Sequence, residues 1–364
     1  MDFTFSEEQD TLRTTARSFL DREVGAEHVR AMLDDVRGCT GDLWRRLAEM
    51  GWTGVLIPVA QGGAALGLLE VGVLAEEMGR MPLPGPWLSS SVAATLVATR
   101  LGDLDPLPRL ADGSLLATVA LEEGGHRDPL DGIGTTARRR GKTWDLDGVK
   151  PLVLDGHMAD LAYVVARDAD GLATFALDAP RGDLVPTMDV TRKVARVDLR
   201  GRSARRIGPP GDQRALLERI VDDIGIALCA ESVGACDRAL RMATDYAKER
   251  VQFDRPIATF QAIRHKLVDM LHQLELARVA THFAAWASSV DDPQREAAAA
   301  IAKGVVGEAA VMITGENIQV HGGVGFTWDV DCHLLFRRVK ANDVLFGRQA
   351  WQRQRLADLV IGAV

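Results

Sequence analysis

The chain falls into three blocks that differ in how apolar positions recur. After Ser6-Glu7-Glu8, an N-cap followed by an acidic first turn, Leu12, Ala16, Phe19 and Leu20 recur at helical spacing. Residues 44–50 and 68–78 repeat that period around the loop Pro58-Val59-Ala60-Gln61-Gly62-Gly63, so residues 6 to about 110 predict helices. From about residue 114 the texture changes. Residues 115–121, 135–138, 143–146, 161–166 and 172–177 predict short strands, with Asp168-Ala169-Asp170-Gly171 as a hairpin turn. Pro209-Pro210-Gly211 closes this stretch. Beyond it, residues 214–250, 260 to about 288, and 294–320 predict long alanine-rich amphipathic helices of an antiparallel bundle.

Helices, strands and helices in blocks predict an α+β fold. The expected division is an N-terminal α-helical domain over 1–113, a middle β domain over 114–211 and a C-terminal four-helix bundle over 212–364. The third block is so apolar, at Ile224, Ile226, Leu228, Val233, Val305, Val306, Val311 and Ile313, that an obligate interface of more than about 2,000 Å² is expected.

Composition narrows the chemistry. With 47% hydrophobic and 26% charged residues in 364, the chain has the make-up of a globular protein. A net charge of -8 argues against a nucleic-acid partner, which asks for a basic surface. Cys39, Cys229, Cys236 and Cys332 show no metal-ligand spacing and predict reduced core thiols, so a cytoplasmic location is expected. The segment Met1 to Glu8 has neither a basic nor an apolar leader pattern, and no apolar run reaches membrane-spanning length, so no membrane is expected.

Candidate chemistry concentrates in Tyr246-Ala247-Lys248-Glu249-Arg250-Val251-Gln252-Phe253-Asp254-Arg255-Pro256-Ile257, then Gln261, and later Gln319-Val320-His321-Gly322-Gly323-Val324-Gly325-Phe326. Arg250 offers a planar charged fork for a phosphate, Phe253 a flat apolar face, and Gln261 an amide at a fresh helix start after Pro256. Gly322 and Gly323 let a ligand approach the backbone, while Gln319 can donate and accept. Taken singly, the first stretch also reads as a solvated helix end and the second as a helix C-cap.

In this order and spacing the two stretches resemble the C-terminal signature of the acyl-CoA dehydrogenase family, whose members desaturate acyl-CoA thioesters using FAD. Trp52-Thr53-Gly54-Val55-Leu56-Ile57-Pro58 with Gln61-Gly62-Gly63 resembles the family's first-domain loop, and Asp147-Gly148-Val149-Lys150 a hairpin in its β domain. The resemblance implies that Arg250, Phe253, Gln261, Gln319, Val320, Gly322 and Gly323 bind the adenosine diphosphate half of an FAD shared across a subunit interface.

The chain departs from the family pattern where the chemistry is done. At the family's glutamate position it reads Leu345-Phe346-Gly347, and phenylalanine cannot take a proton. Asp222 and Asp223 lie beside an alternative family position for the base, with Asp223 the candidate substitute. The flavin-ring loop reads Glu122-Glu123-Gly124-Gly125-His126-Arg127-Asp128, and the ring-edge strand Pro151-Leu152-Val153-Leu154-Asp155, both without the family's hydroxyl donors. Carboxylates there would oppose charge on a reduced ring.

The resemblance therefore implies a non-catalytic subunit of an α2β2 acyl-CoA dehydrogenase of the steroid side-chain type. A homologous partner would supply ring site and glutamate, and electron-transfer flavoprotein would accept electrons. Two alternatives stand: a homo-oligomeric pseudoenzyme, and a self-sufficient flavoenzyme using Asp223.

Overall fold

The computed structural model describes residues 5–124 and 128–362. The first block is helical. It contains α1 (Glu7–Glu23), α2 (Ala26–Leu33), α3 (Gly41–Glu49) and α4 (Leu68–Arg80), then a π-helical stretch Trp87–Ala94 that runs into α5 (Thr95–Leu101), and α6 (Leu107–Ala111). Ser6 caps α1 reciprocally with Gln9, so the predicted start is one residue before the helix.

The middle block holds two sheets. Its strands are β1 (Ala117–Ala120), β2 (Thr136–Arg140), β3 (Thr143–Asp147), β4 (Val149–Leu154), β5 (Leu161–Arg167), β6 (Leu172–Asp178), β7 (Asp183–Leu184), β8 (Val194–Asp198) and β9 (Arg202–Ile207). The larger sheet runs β1-β5-β2-β3-β9-β6, and a further β5–β6 pairing curls it into a closed ring of five strands. The smaller runs β4-β8-β7. Val153, Val164, Phe175, Leu177 and Val197 fill the space they enclose as a separate small core.

One expectation is corrected here. Asp147-Gly148-Val149-Lys150 is not a hairpin, because β3 pairs with β2 and β9 while β4 pairs with β8 in the other sheet. The chain changes sheets at Gly148. The Asp168–Gly171 hairpin does join β5 and β6, with Arg167 opposite Leu172. β4, β7, β8 and β9 gave little periodic signal; β9 carries Arg202, Arg205 and Arg206, whose apolar partners are only Ala204 and Ile207.

The last block begins with α7 (Arg214–Glu249), a two-residue hairpin of β10 (Val251–Gln252) and β11 (Arg255–Pro256), then α8 (Gln261–Ser289), α9 (Arg295–His321), α10 (Cys332–Val344) and α11 (Gln349–Ile361). α7 is the axis of the molecule, enclosed by α4, α5, α8, α9 and α10. At its crossing with α4 the backbones touch. A Cβ on Gly79 would sit 1.9 Å from the Glu231 carbonyl oxygen, and one on Gly234 1.8 Å from that of Glu76.

The central position of α7 overturns a second expectation. Ile224, Ile226, Leu228, Val233, Val306 and Ile313 are buried within this one chain, so they are no interface. The unpartnered apolar stripe is on the outer face of α8 instead, at Val268, Leu271, Leu276 and Val279. The expected absence of a membrane-length apolar run is also corrected. Residues Arg295–Phe326 reach a mean hydropathy of 1.5 in one window, but alanine and valine make it apolar because it packs among α7, α8, α10 and α11. All four cysteines are buried and free.

Candidate functional site

Two regions answer to the sequence candidates, at opposite extremes of accessibility. The first is the end of the bundle where α7 and α9 stop and α8 starts. The hairpin after α7 turns on Phe253 and Asp254, both left-handed with φ of 52° and 62°, as a two-residue turn between twisted strands requires. This holds Phe253 out, 86% exposed. Arg250 is exposed and uses its backbone groups to bond Tyr246 and Ile257, leaving its guanidinium without an ion pair among the described residues.

Tyr246 stacks on His321 at 4.3 Å between ring centroids, which fixes the ends of α7 and α9 side by side. Gln261 is the first residue of α8 and is exposed, as is Gln319; Val320 is buried beneath them. Gly322 has φ 64° and ψ -141°, a conformation side chains do not adopt, and a Cβ on Gly322 or Gly323 would meet only open space. A planar cation, a bare aromatic face, two amides and an approachable backbone fit the phosphates and adenine of a dinucleotide. Asp254 is the discordant member. It is a carboxylate where phosphates are expected, and the neighbouring Arg255 lies 4.2 Å over the Phe260 ring rather than against it.

The second region is buried, between the loop after β1, strand β4 and the turn joining α10 to α11. Phe346 sits on that turn, 6% exposed and left-handed at φ 53°. Its backbone N–H donates to Glu122 Oε1 at 2.6 Å. Burial pushes the Glu122 carboxyl above the usual range, against that hydrogen bond and the charges of Lys303 and Arg348. The other loop carboxylates are spoken for. Glu123 accepts from Gly134 N–H at 2.7 Å, from Thr135 N–H, and from Lys150 Nζ at 2.7 Å. Asp128 pairs with Arg214. Lys150 is fully buried, and burial lowers it to about 8. Gly125, His126 and Arg127 of this loop lie outside the described residues.

Leu152, on β4, lines the cavity of about 80 Å³ beside Glu122, Leu345 and Gly347 and, like Leu154 on the same strand, has no side-chain donor. Asp223 is not in it. Its carboxylate is held by Arg100 and by the Ser288 hydroxyl, and Asp222 by Arg355. Burial raises both acids, Asp222 to about 6, yet each already serves an ion pair.

Behind the turn lies a charged knot that sequence reasoning missed. Arg338, fully buried, donates from Nε to Asp189 at 2.8 Å, and from its two terminal nitrogens to Glu231 and to the Thr191 hydroxyl, each at 2.6 Å. Arg192 and Asn342 complete the shell of Glu231 at 2.8 and 2.7 Å. Burial alone would raise Glu231, but Arg192 and Arg338 outweigh it and hold it at about 2. The available signal was Glu231 itself, a charge amid the apolar run Ala227–Cys236.

Asp155 gives a testable consequence. It is buried with φ 52°, accepts from Ser89 Oγ at 2.6 Å, and leaves Oδ1 without a partner. Burial pushes it up to about 6 despite Ser89. The folded state therefore binds this proton more tightly than the unfolded one, so its contribution falls as pH rises from about 4 through about 6. Asp155→Asn, which also suits the left-handed backbone, should raise stability by about 2 kcal/mol near pH 8 and by little near pH 4. Chemical denaturation at the two pH values checks this; an equal gain at both would contradict it.

Comparison with known proteins follows the same lines. The chain matches the family model for the acyl-CoA dehydrogenase C-terminal domain over residues 222–361 and that for the N-terminal domain over residues 6–103. It is 30% identical over 352 residues to "Acyl-CoA dehydrogenase IpdE2" of Mycolicibacterium smegmatis, covering 96% of this chain and 98% of that protein. Among solved structures, a variant of the "Tcur3481-Tcur3483 steroid ACAD" superposes with a TM-score of 0.88 at 33% identity over 98% of each chain. The ChsE4-ChsE5 complex from Mycobacterium tuberculosis superposes at 0.89 with 26% identity over 100% of both chains.

Proposed function

The chain belongs to the acyl-CoA dehydrogenase family, and on that premise we propose that it is the non-catalytic subunit of a heteromeric, FAD-dependent enzyme. In this reading an α2β2 assembly divides the work. This chain offers Arg250, Phe253, Gln261, Gln319, Val320, Gly322 and Gly323 to the adenosine diphosphate half of FAD, and a homologous partner offers the flavin-ring site and the glutamate. When bound, FAD takes the hydride from the β carbon of the acyl thioester as a base removes the α proton.

The observation that carries the reading is the contrast between the two regions. The corner around Arg250 is open, with Phe253 86% exposed. The other region has Phe346 in place of a base and the apolar side chains of Leu152 and Leu154 in place of hydroxyl donors. Arg100 and Ser288 on Asp223 speak against a substitute base there. The likeness to a steroid acyl-CoA dehydrogenase supports a bulky, steroid-like acyl-CoA as substrate; electron-transfer flavoprotein is the acceptor in this reading. Its buried free thiols suit a cytoplasmic enzyme.

Purified alone, the chain should be nearly colourless. Co-expressed with a homologue that keeps the glutamate, it should yield a yellow, active complex. A yellow, active chain on its own would defeat the reading. Within the complex, Arg250→Ala should weaken FAD binding by about 1.5 to 3 kcal/mol, the worth of a charge-assisted and bidentate contact to phosphate. Fluorescence titration of the apo complex reads this, and unchanged affinity would remove Arg250 from the site.

A further inference from the structure

A second cavity, of about 270 Å³, opens on the other side of Leu152, Val344 and Leu345. Its walls are Leu152 and Leu154 from β4, Val194 from β8, and Val344 and Leu345 at the end of α10. Apart from Lys340, the polar side chains in its lining are occupied. Arg192 donates to Glu231 and Asn342, Asp189 accepts from Arg338 and the Thr191 hydroxyl, and the Thr187 hydroxyl donates to the Asp189 carbonyl. No free donor or acceptor among these points inward, so the interior suits an apolar body and would strand a polar ring.

The mouth is different. Arg337, Lys340, Ala341 and Val344 share one face of α10, at helical spacing. The Arg337 guanidinium lies beside the Met188 carbonyl, 3.4 Å away, at the cavity edge. Lys340 lines the cavity and is held only by a loose 4.0 Å contact with Asp343. Of the nearby acids, Asp189 is paired with Arg338, and Asp343 makes only that loose contact with Lys340 among the described residues. Apolar walls thus end in Lys340, loosely held, with Arg337 one turn away between the Met188 carbonyl and the Trp328 ring, 5.5 Å from its centroid.

We propose that this cavity binds an amphipathic carboxylate, its aliphatic or alicyclic body against Leu152, Leu154, Val194 and Val344 and its head group against Lys340 and Arg337. The inference rests on the reading that this chain's own ring side carries no flavin. It assigns this neighbouring cavity a ligand of its own, an acid of the same character as the acyl group the complex would process.

The test is calorimetric titration of the full chain with decanoate and with neutral 1-decanol. Decanoate should bind saturably, with a negative heat-capacity change, at least about tenfold tighter than decanol. Lys340→Glu should weaken decanoate by about tenfold and leave decanol unchanged. Val344→Asp, at a half-exposed wall position, should abolish both while the far-ultraviolet spectrum and melting stay as they were. No saturable decanoate binding, equal binding of decanol, or decanoate binding untouched by Val344→Asp would each overturn the proposal. A decanoyl-CoA titration separates the sources: tighter binding than decanoate assigns the cavity to a thioester and overturns the free-acid assignment. The flavin content of the co-expressed complex is read separately. It should be unchanged by Val344→Asp, and its loss would give the cavity to the cofactor, whereas a complex that never binds flavin would fail the subunit reading alone.

Discussion

Arg338→Ala is expected to cost about 3 to 5 kcal/mol of stability, because it strips the central cation from a buried knot and leaves Asp189 without its partner. Lysine should recover only part. Its point charge can meet Glu231 or Asp189 but cannot reproduce a fork that reaches Asp189, Glu231 and Thr191 at once. The knot joins residues 189–192 of the β block to α7 and α10, so the loss should appear as one transition at lower denaturant. A midpoint within about 0.5 kcal/mol of the wild type would show that the knot is compensated by Arg192 alone.

The second large effect concerns Phe346. Phe346→Glu in the isolated chain should yield no measurable thioester desaturation. Glu122 already hydrogen-bonds the backbone of that position, so a new carboxyl would meet a like group in a poorly hydrated pocket and stay protonated. Leu152 and Leu154 would still offer no donor to a ring. Removing the corresponding glutamate from the co-expressed partner should instead lower turnover by about 10² to 10⁴ while the complex stays yellow. Steady-state assay with the flavin spectrum recorded alongside decides between them. Turnover by Phe346→Glu alone, with bound FAD, would make this chain a lapsed self-sufficient enzyme.

Periodicity made the long helices legible, because their apolar faces look onto one continuous core, and the β5–β6 hairpin stood out as two apolar runs about a turn, shared between that core and the smaller one. It missed β9 and the change of sheet at Gly148, where pairing is decided by strands far along the chain rather than by neighbours. The residues of the proposed dinucleotide corner stood out as residue types at fixed spacing, and Phe346 as a phenylalanine where the family pattern led one to expect a glutamate. Two things did not. Glu122, Glu123 and Asp128 look alike in a string of acids, yet the fold gives one an amide, one a buried lysine and one an arginine. The apolar residues of α7 looked like an interface because a helix surrounded on all sides carries the same pattern as one half-buried in a neighbour.

The contact of α4 with α7 through Gly79 and Gly234 has a consequence for how this protein can be divided. Three blocks in the sequence invite treatment as exchangeable modules, but the first and third share a seam with no room for a methyl group. A fragment beginning at residue 212 would strip α7 of its α4 cover and present the buried stretch around Ala230, Glu231 and Gly234 to water. Such a fragment should aggregate when expressed alone, and chimaeras that take the first block from a relative will succeed only when both halves of the seam travel together.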